Sequence, residues 1–261
     1  MDHLIQHFRK DEQPFIEKVI GWQREVEDRF APKLSDFLDP RERFIVTSIL
    51  TQNNELKITT EGGFHEAERQ RMLIYPNYYV PTYEDLQITV FSVNYPSKFV
   101  QLKHPDVLGS LLSIGLTRGK FGDIHIDGEK IQFSVAQEVE DYVKMNLNSI
   151  GKAKIQLEKL TDKSEIIQMS QEWVNKTYTV SSMRLDTVLA SIFNISRQKS
   201  QSLIQADKVK VNWTLRDDTS FELHDGDIVS ARGFGRVKIV MTEGRTKKDK
   251  IRLQIGRLEQ K

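Results

Sequence analysis

The chain has no cysteine, which excludes disulfides, thiolate metal sites and a cysteine nucleophile and fits a reducing compartment. No apolar run approaches the roughly 20 residues that a membrane span needs. The opening MDHLIQHFRKDEQ also lacks the apolar stretch of a signal peptide, so a cytoplasmic protein with no membrane partner is expected. An excess of charge of one sign is missing too. The formal net charge is +1 and the pI about 7.9, so the whole chain does not look like a nucleic-acid binder. What remains is an ordinary globular composition, 38% hydrophobic and 29% charged, long enough at 261 residues for two or three domains.

The near-zero average conceals a division. Residues 182–261 hold 16 Lys+Arg against 10 Asp+Glu, whereas residues 1–181 hold 22 against 27. A basic C-terminal third on a mildly acidic body is the pattern of a module that meets a polyanion.

Hydropathy periods predict an α+β chain of three domains. Residues 1–78 read as mostly helical: Phe15, Val19, Trp22, Val26 and Phe30 recur every three or four positions over 12–30, giving one buried stripe that Pro32 ends. Asp39 as N-cap and Pro40 at the first helical position start a second helix, with Phe44, Ile45, Ile49 and Leu50 facing inward. Residues 56–60 suit a short strand, and 67–75 suit helix or strand. Over 79–162 the order is β-α-β-β-α-β, with Asp127-Gly128 as a tight turn between the middle strands. That is the order of a ferredoxin-like sandwich, a shape shared by RNA-recognition domains and by many domains that never meet RNA. Residues 163–181 form a polar connector that can include a strand over 173–180, and 182–261 form the basic module. TEGRTKKDK near the end reads as a loop or hairpin tip.

The basic module holds the most informative stretch, SRQKSQSLIQADKVKVN (196–212). With Ser196 as N-cap of a helix, Arg197, Ser200 and Gln201 lie on one side, and free backbone N–H groups at that helix start favour a phosphate. Lys208 and Lys210, two residues apart, share one face of the following strand. Such a grid of donors suits spaced phosphates, with Arg197 able to bind in bidentate fashion. The competing explanation is a set of solubilising charges on a small domain.

Residues 183–238 resemble the alpha-L RNA-binding domain, on RLDTVLA (184–190), the SR pair (196–197), SQSLI (200–204), VKVN (209–212) and GDIV (226–229). The resemblance implies RNA binding through Arg197, Lys199, Ser200, Lys208, Lys210 and Asn212, and Arg184, Ser196, Gln201 and Arg236 complete the candidate set. The sequence departs from that family where glycine is usual: Asp207 precedes the strand and Trp213 follows Asn212. Trp213 either reshapes the turn or presents an extra aromatic surface. FLDPRERFI (37–45), GGFHEAERQR (62–71), KFVQLKHPDVLGSLLSIGLTRGKFGDI (98–124) and RGFGRVKI (232–239) extend the likeness to most of the chain, which is similar to the bacterial YlmH family. Membership implies a non-catalytic RNA-binding factor on the large ribosomal subunit, linked to quality control of stalled nascent chains and, in some bacteria, to cell division. Ribosomal RNA is the implied partner and tRNA a further one; no cofactor and no small-molecule substrate is implied.

Other signals compete. GLTRGKFGD (115–123) follows a helix, which is the wrong context for a nucleotide loop, though Arg118 and Lys120 on it are candidates for a second RNA contact. Phe91 is either a stacking surface for a base or a packing residue. His3 and His7 have zinc-helix spacing but no third ligand, so no metal site is expected. Arg184-Leu185-Asp186 matches a string used by pseudouridine synthases, yet here it opens the first alpha-L helix, where Asp186 is expected to orient its neighbours. A pseudouridine synthase or methyltransferase targeted by its alpha-L domain, and a protein-interaction adaptor in cell division, are the alternatives.

Overall fold

The computed structural model describes residues 8, 12–51, 54–168 and 173–258; His3 and His7 lie outside them. Backbone contacts divide the chain into two units, Met1–Met169 and Ser170–Lys261.

In the first unit, helices α1 (Gln13–Arg29) and α2 (Pro40–Leu50) pack on a three-stranded antiparallel sheet, with β3 (Arg71–Pro76) between β1 (Lys33–Leu34) and β2 (Leu56–Glu61). The start of α2 is chemically fixed. Asp39 Oδ1 accepts from the Glu42 backbone N–H at 2.9 Å and Glu42 Oε2 accepts from the Asp39 N–H at 2.7 Å, closing a capping box around Pro40. Ile16, Val19, Trp22 and Val26 of α1 and Ile45, Val46, Ile49 and Leu50 of α2 meet Met72 and Ile74 of β3.

The sequence reading needs correction at two residues here. Phe30 is 72% exposed, because it ends α1 in a left-handed conformation that carries it off the buried stripe. Phe44 is 56% exposed with the Arg41 guanidinium over its ring, and Val46 takes the inward place. The sheet uses the stretches that suit strands in the sequence, β2 at 56–61 and β3 at 71–76. Every residue of β3 is buried, Met72 and Ile74 toward the helices and Leu73 and Tyr75 toward Leu86, so the alternation that would announce a strand is absent.

Beyond this, β4 (Ile88–Asn94), β5 (Phe121–Asp127), β6 (Lys130–Ala136) and β9 (Gln156–Leu160) form an antiparallel sheet in the order β5-β6-β4-β9; β7 (Ser149–Ile150) and β8 (Ala153–Lys154) pair separately. One face receives α3 (His104–Ser113) and α4 (Glu140–Asn146): Phe91, Val93, Phe133 and Val135 pack with Val107, Leu111 and Val143. Phe91 is 1% exposed, its ring 5.8 Å from that of Phe133, so it is a packing residue and presents nothing to a base. The opposite face is covered as well. Val90 packs against Phe64 and Ala67, and Gln132 donates to the Glu165 carbonyl and accepts from the Ile167 N–H, both at 2.8 Å. Phe64 also stacks on His125 at 4.0 Å. The stretch GGFHEA thus lies across the sheet, and Gly63 and Gly122 sit where a side chain would strike Val90, Ser134 or Phe37.

In the second unit the antiparallel sheet runs β10 (Trp173–Val180), β15 (Ile251–Leu258), β14 (Gly235–Arg245), β13 (Ile228–Ala231), β11 (Val209–Val211), β12 (Thr214–Leu215). The strand at 173–180 pairs along its whole length with β15, and the Lys-rich segment is the tip of the β14–β15 hairpin, closed by the Thr246 N–H donating to the Lys250 carbonyl at 2.7 Å. Helices α5 (Leu185–Ile192) and α6 (Arg197–Gln205) cover one sheet face: Leu185, Val188, Leu189, Ile192, Leu203 and Ile204 pack on Val209, Val211, Val229, Val237 and Ile239.

Candidate nucleic-acid interface

Helix α6 begins at Ser196, whose hydroxyl accepts from the Lys199 N–H at 3.1 Å and fixes the first turn. Just inside lies Asp186, on α5, with no accessible surface. Its carboxylate receives Arg197 Nε at 2.9 Å, Gln201 Nε2 at 2.9 Å, Arg184 Nε at 3.2 Å and the Thr187 hydroxyl at 3.2 Å, while its carbonyl accepts the Ser200 hydroxyl at 2.9 Å. Burial pushes this carboxyl up, but the hydrogen bonds from Arg184, Gln201 and Arg197 and the Arg197 charge outweigh that and hold it far below the usual carboxylate range. The expected orienting role of Asp186 is the one it has. By taking Nε it sets the Arg197 side chain, which is 57% exposed.

Four of the sequence candidates therefore converge on one residue, Asp186: Arg184, Arg197 and Gln201 on its carboxylate and Ser200 on its backbone carbonyl. Ser200 needs correction, since it is wholly buried and supports the surface from below. One guanidinium charge is cancelled by Asp186, so the excess positive potential comes from the second guanidinium and from Lys199, which is exposed.

The strand candidates occupy a different face. Val209 and Val211 point into the core beneath the helices, so Lys210 points away from them. The register pairs Lys210 with Ser230 and Ser230 with Arg236, which puts the three in one row across the outer sheet face. Ile228 and Lys238 pair in a parallel row. Lys208 lies one residue before β11, exposed, with its carbonyl accepting from the Arg232 N–H at 2.9 Å. Among the described residues, no hydrogen bond or ion pair engages the side chains of Lys199, Lys208, Lys210 or Arg232. Arg232, absent from the sequence candidates, was within the RGFGRVKI string but carried no spacing signal of its own.

Asn212 and Trp213 are the two central residues of the β11–β12 hairpin, both left-handed at φ 48° and 65°. This is the mirror-type turn that Asn-Gly favours, so Trp213 keeps the backbone course instead of reshaping it. Asn212 is a clamp and not a surface donor: its Nδ2 donates to Asp227 Oδ1 at 2.7 Å and its Oδ1 accepts from the Ile228 N–H at 2.9 Å. A tryptophan in the left-handed region costs about 1–2 kcal/mol. The Arg236 guanidinium lies 5.8 Å from the indole centroid, an interaction that contributes about 0.5–1 kcal/mol where exposed. Asp207, the other departure, takes φ 54° before β11, as a residue tolerant of that region can.

Arg118 and Lys120, in the first unit, are engaged inside the protein. Arg118 donates to the Gly122 carbonyl at 3.1 Å and, through its other terminal nitrogen, to Phe121; burial, with the Arg69 charge beside it, lowers it to about 10. Lys120 meets Asp36 at 2.7 Å and Glu138 at 3.0 Å. Among the described residues no helix is long and apolar enough to cross a membrane, and no group of three or more metal-ligating side chains occurs.

Three family descriptions match the chain: "YlmH, N-terminal" over residues 11–79, "Putative RNA-binding domain in YlmH" over 81–164, and "S4 domain" over 183–229. The curated protein "Ribosome-associated protein quality control protein P2" of Bacillus subtilis is 42% identical over 257 residues, spanning 98% of this chain and 99% of that one. Among solved structures, "Cell division protein ylmH from Streptococcus pneumoniae" is 28% identical with a TM-score of 0.56, covering 62% of this chain and 98% of that chain. With its S4 domain carrying the Asp186 cluster and the outer row of cations, and with this full-length likeness, the chain belongs to the YlmH family.

Proposed function

We propose that this protein binds structured ribosomal RNA on the large ribosomal subunit, without catalysing a reaction, and acts in the quality control of stalled nascent chains. The observation that carries the reading is the set of exposed, unengaged cations on the S4 domain, Lys199, Lys208 and Lys210, together with the Arg197 fork that Asp186 holds ready. The name of the B. subtilis relative supports the ribosomal assignment, and that of the S. pneumoniae structure supports a link to cell division. Recognition rests on phosphate contacts and RNA shape, with tRNA a second candidate ligand and the cytoplasm as the location. The sheet order of residues 88–160 supports a ferredoxin-like middle domain between a domain at 1–78 and the connector at 163–181. Because both faces of that sheet are covered, its RNA contact would use loops and helix surfaces, not stacking on the sheet.

A pseudouridine synthase reading is disfavoured by Asp186 itself, since the acid of the RLD string has no accessible surface and is held by two arginines and Gln201. Titrating the full-length protein onto large-subunit RNA fragments over a potassium chloride series tests the proposal. Lys208→Ala with Lys210→Ala should lower the salt slope by about one for each phosphate no longer neutralised and weaken binding to all sequences alike. Unchanged affinity and slope in the double variant would refute the proposed surface.

A further inference from the structure

Arg118 and Lys120 are engaged by partners inside the first unit, so a second RNA contact there has to use other cations. Residues 142–157 hold three lysines and no Asp or Glu, in a body where acids outnumber bases by 27 to 22 over residues 1–181. The segment runs from α4 into the β7–β8 hairpin, and its course is fixed by local hydrogen bonds. The Leu147 N–H donates to the Val143 carbonyl at 2.9 Å, and the Asn146 and Asn148 side-chain amides donate to the Tyr142 and Met145 carbonyls at 2.8 and 3.0 Å. The Ile155 N–H closes the hairpin base on the Asn148 carbonyl at 3.1 Å. Ile150 and Ala153, paired across the hairpin, are buried in the same core as Val107, Leu111 and Val143. Strand alternation therefore sends Lys154, opposite Ser149, to the outer side, and Lys152 takes the turn beside Gly151, whose φ of 56° suits glycine. Lys144, Lys152 and Lys154 are exposed, and among the described residues no hydrogen bond or ion pair engages their side chains. Glu140, four residues before Lys144, feels its charge but is bonded by Lys159 at 2.7 Å.

We propose that Lys144, Lys152 and Lys154 form a phosphate-binding surface for RNA on the first unit, additional to the cations of the S4 domain. The inference rests on the RNA-binding reading above and assigns its second contact to α4 and the β7–β8 hairpin. Ammonium groups meet phosphates as point charges without reading bases, so this surface adds affinity and salt dependence and no sequence preference. Where one RNA reaches both contacts, each raises the effective concentration for the other.

The test labels the lysines of the full-length protein with acetic anhydride, with and without large-subunit ribosomal RNA, and reads each position by mass spectrometry. Lys144, Lys152 and Lys154 should lose reactivity when RNA is added, as Lys208 and Lys210 should, while Lys57 and Lys130, also exposed, keep theirs. Lys144→Gln, Lys152→Gln and Lys154→Gln combined should lower the salt slope of binding by about two to three, at roughly 0.7–0.9 per phosphate, with the melting temperature unchanged. Lys57→Gln with Lys130→Gln should leave the slope as in wild type. Full reactivity of the three lysines on RNA, an unchanged slope in the triple variant, or an equal fall per charge in the control pair overturns the second contact. If Lys208 and Lys210 are shielded and these three are not, the RNA-binding reading stands without it; if neither set is shielded, that reading fails as well.

Discussion

Asp186 and Arg197 meet at 2.9 Å with opposite exposures, the carboxylate sealed from solvent and the arginine 57% exposed. A buried anion thus aims a surface cation. Because the Asp186 carboxyl titrates well below its unfolded value, its stabilisation is complete above about pH 4 and is lost as pH falls toward the folded value. Asp186→Asn should therefore cost about 1–3 kcal/mol at neutral pH, the worth of hydrogen bonds to a charged group. The gap from wild type should narrow as the pH is lowered below about 4. Urea midpoints across that range check this.

Ser200→Ala separates support from RNA contact. Its hydroxyl bonds the Asp186 carbonyl from a fully buried position, so its loss should cost about 1–2 kcal/mol while the salt slope of RNA binding stays as in wild type. Arg197→Ala should do the reverse on the slope, lowering it by about one. Parallel thermal melts and salt titrations distinguish the two.

In the first unit, Arg71 is 3% exposed and donates to the Ser35 carbonyl at 2.9 Å, the Gln87 carbonyl at 2.8 Å and Glu138 at 2.9 Å. Replacing it by methionine keeps most of the volume but strands two carbonyls and a carboxylate. A loss of about 3 kcal/mol is expected, at the low end for a broken buried pair because Glu138 is partly exposed and keeps Lys120. Denaturant unfolding of the full-length chain measures it.

Gly122→Ala probes the close approach between β5 and the segment that joins β1 to α2. A methyl group there would press on the Ser134 hydroxyl and come within 2.7 Å of the Phe37 ring, both in fully packed surroundings. Overpacking of this kind costs about 1–3 kcal/mol, which a shifted melting temperature would show. RNA affinity at temperatures where the variant is folded should be that of wild type.

Local chemistry carried much of the fold. The Asp39 and Ser196 caps, the Asp127-Gly128 turn, the helical stripes at 185–192 and the alternation Val209-Lys210-Val211 each specify an element through neighbours in the chain. What lay hidden was whatever depends on a third element. Nothing in the period of Ile88–Asn94 tells that Phe64 and Ala67 cover its second face, and β3 hides its strand character because both faces are covered. In the site, Arg197, Ser200 and Gln201 were placed together by helical spacing, but that spacing cannot distinguish an exposed donor from one bonded to a carbonyl underneath. Asn212 likewise matched a binding pattern for a reason of turn construction, since its side chain ties the hairpin to Asp227 and Ile228.

The chain of Arg71, Glu138, Lys120 and Asp36 has a practical corollary for ionic strength. Those charges are neutralised by partners at close range and partly shielded from solvent, whereas Lys199, Lys208 and Lys210 stand in open electrolyte, so added ions reach the second set first. Concentrated potassium chloride should strip polyanions from the S4 domain while leaving the rest of the molecule folded, which turns a simple column wash into a selective assay of that domain's exposed cations.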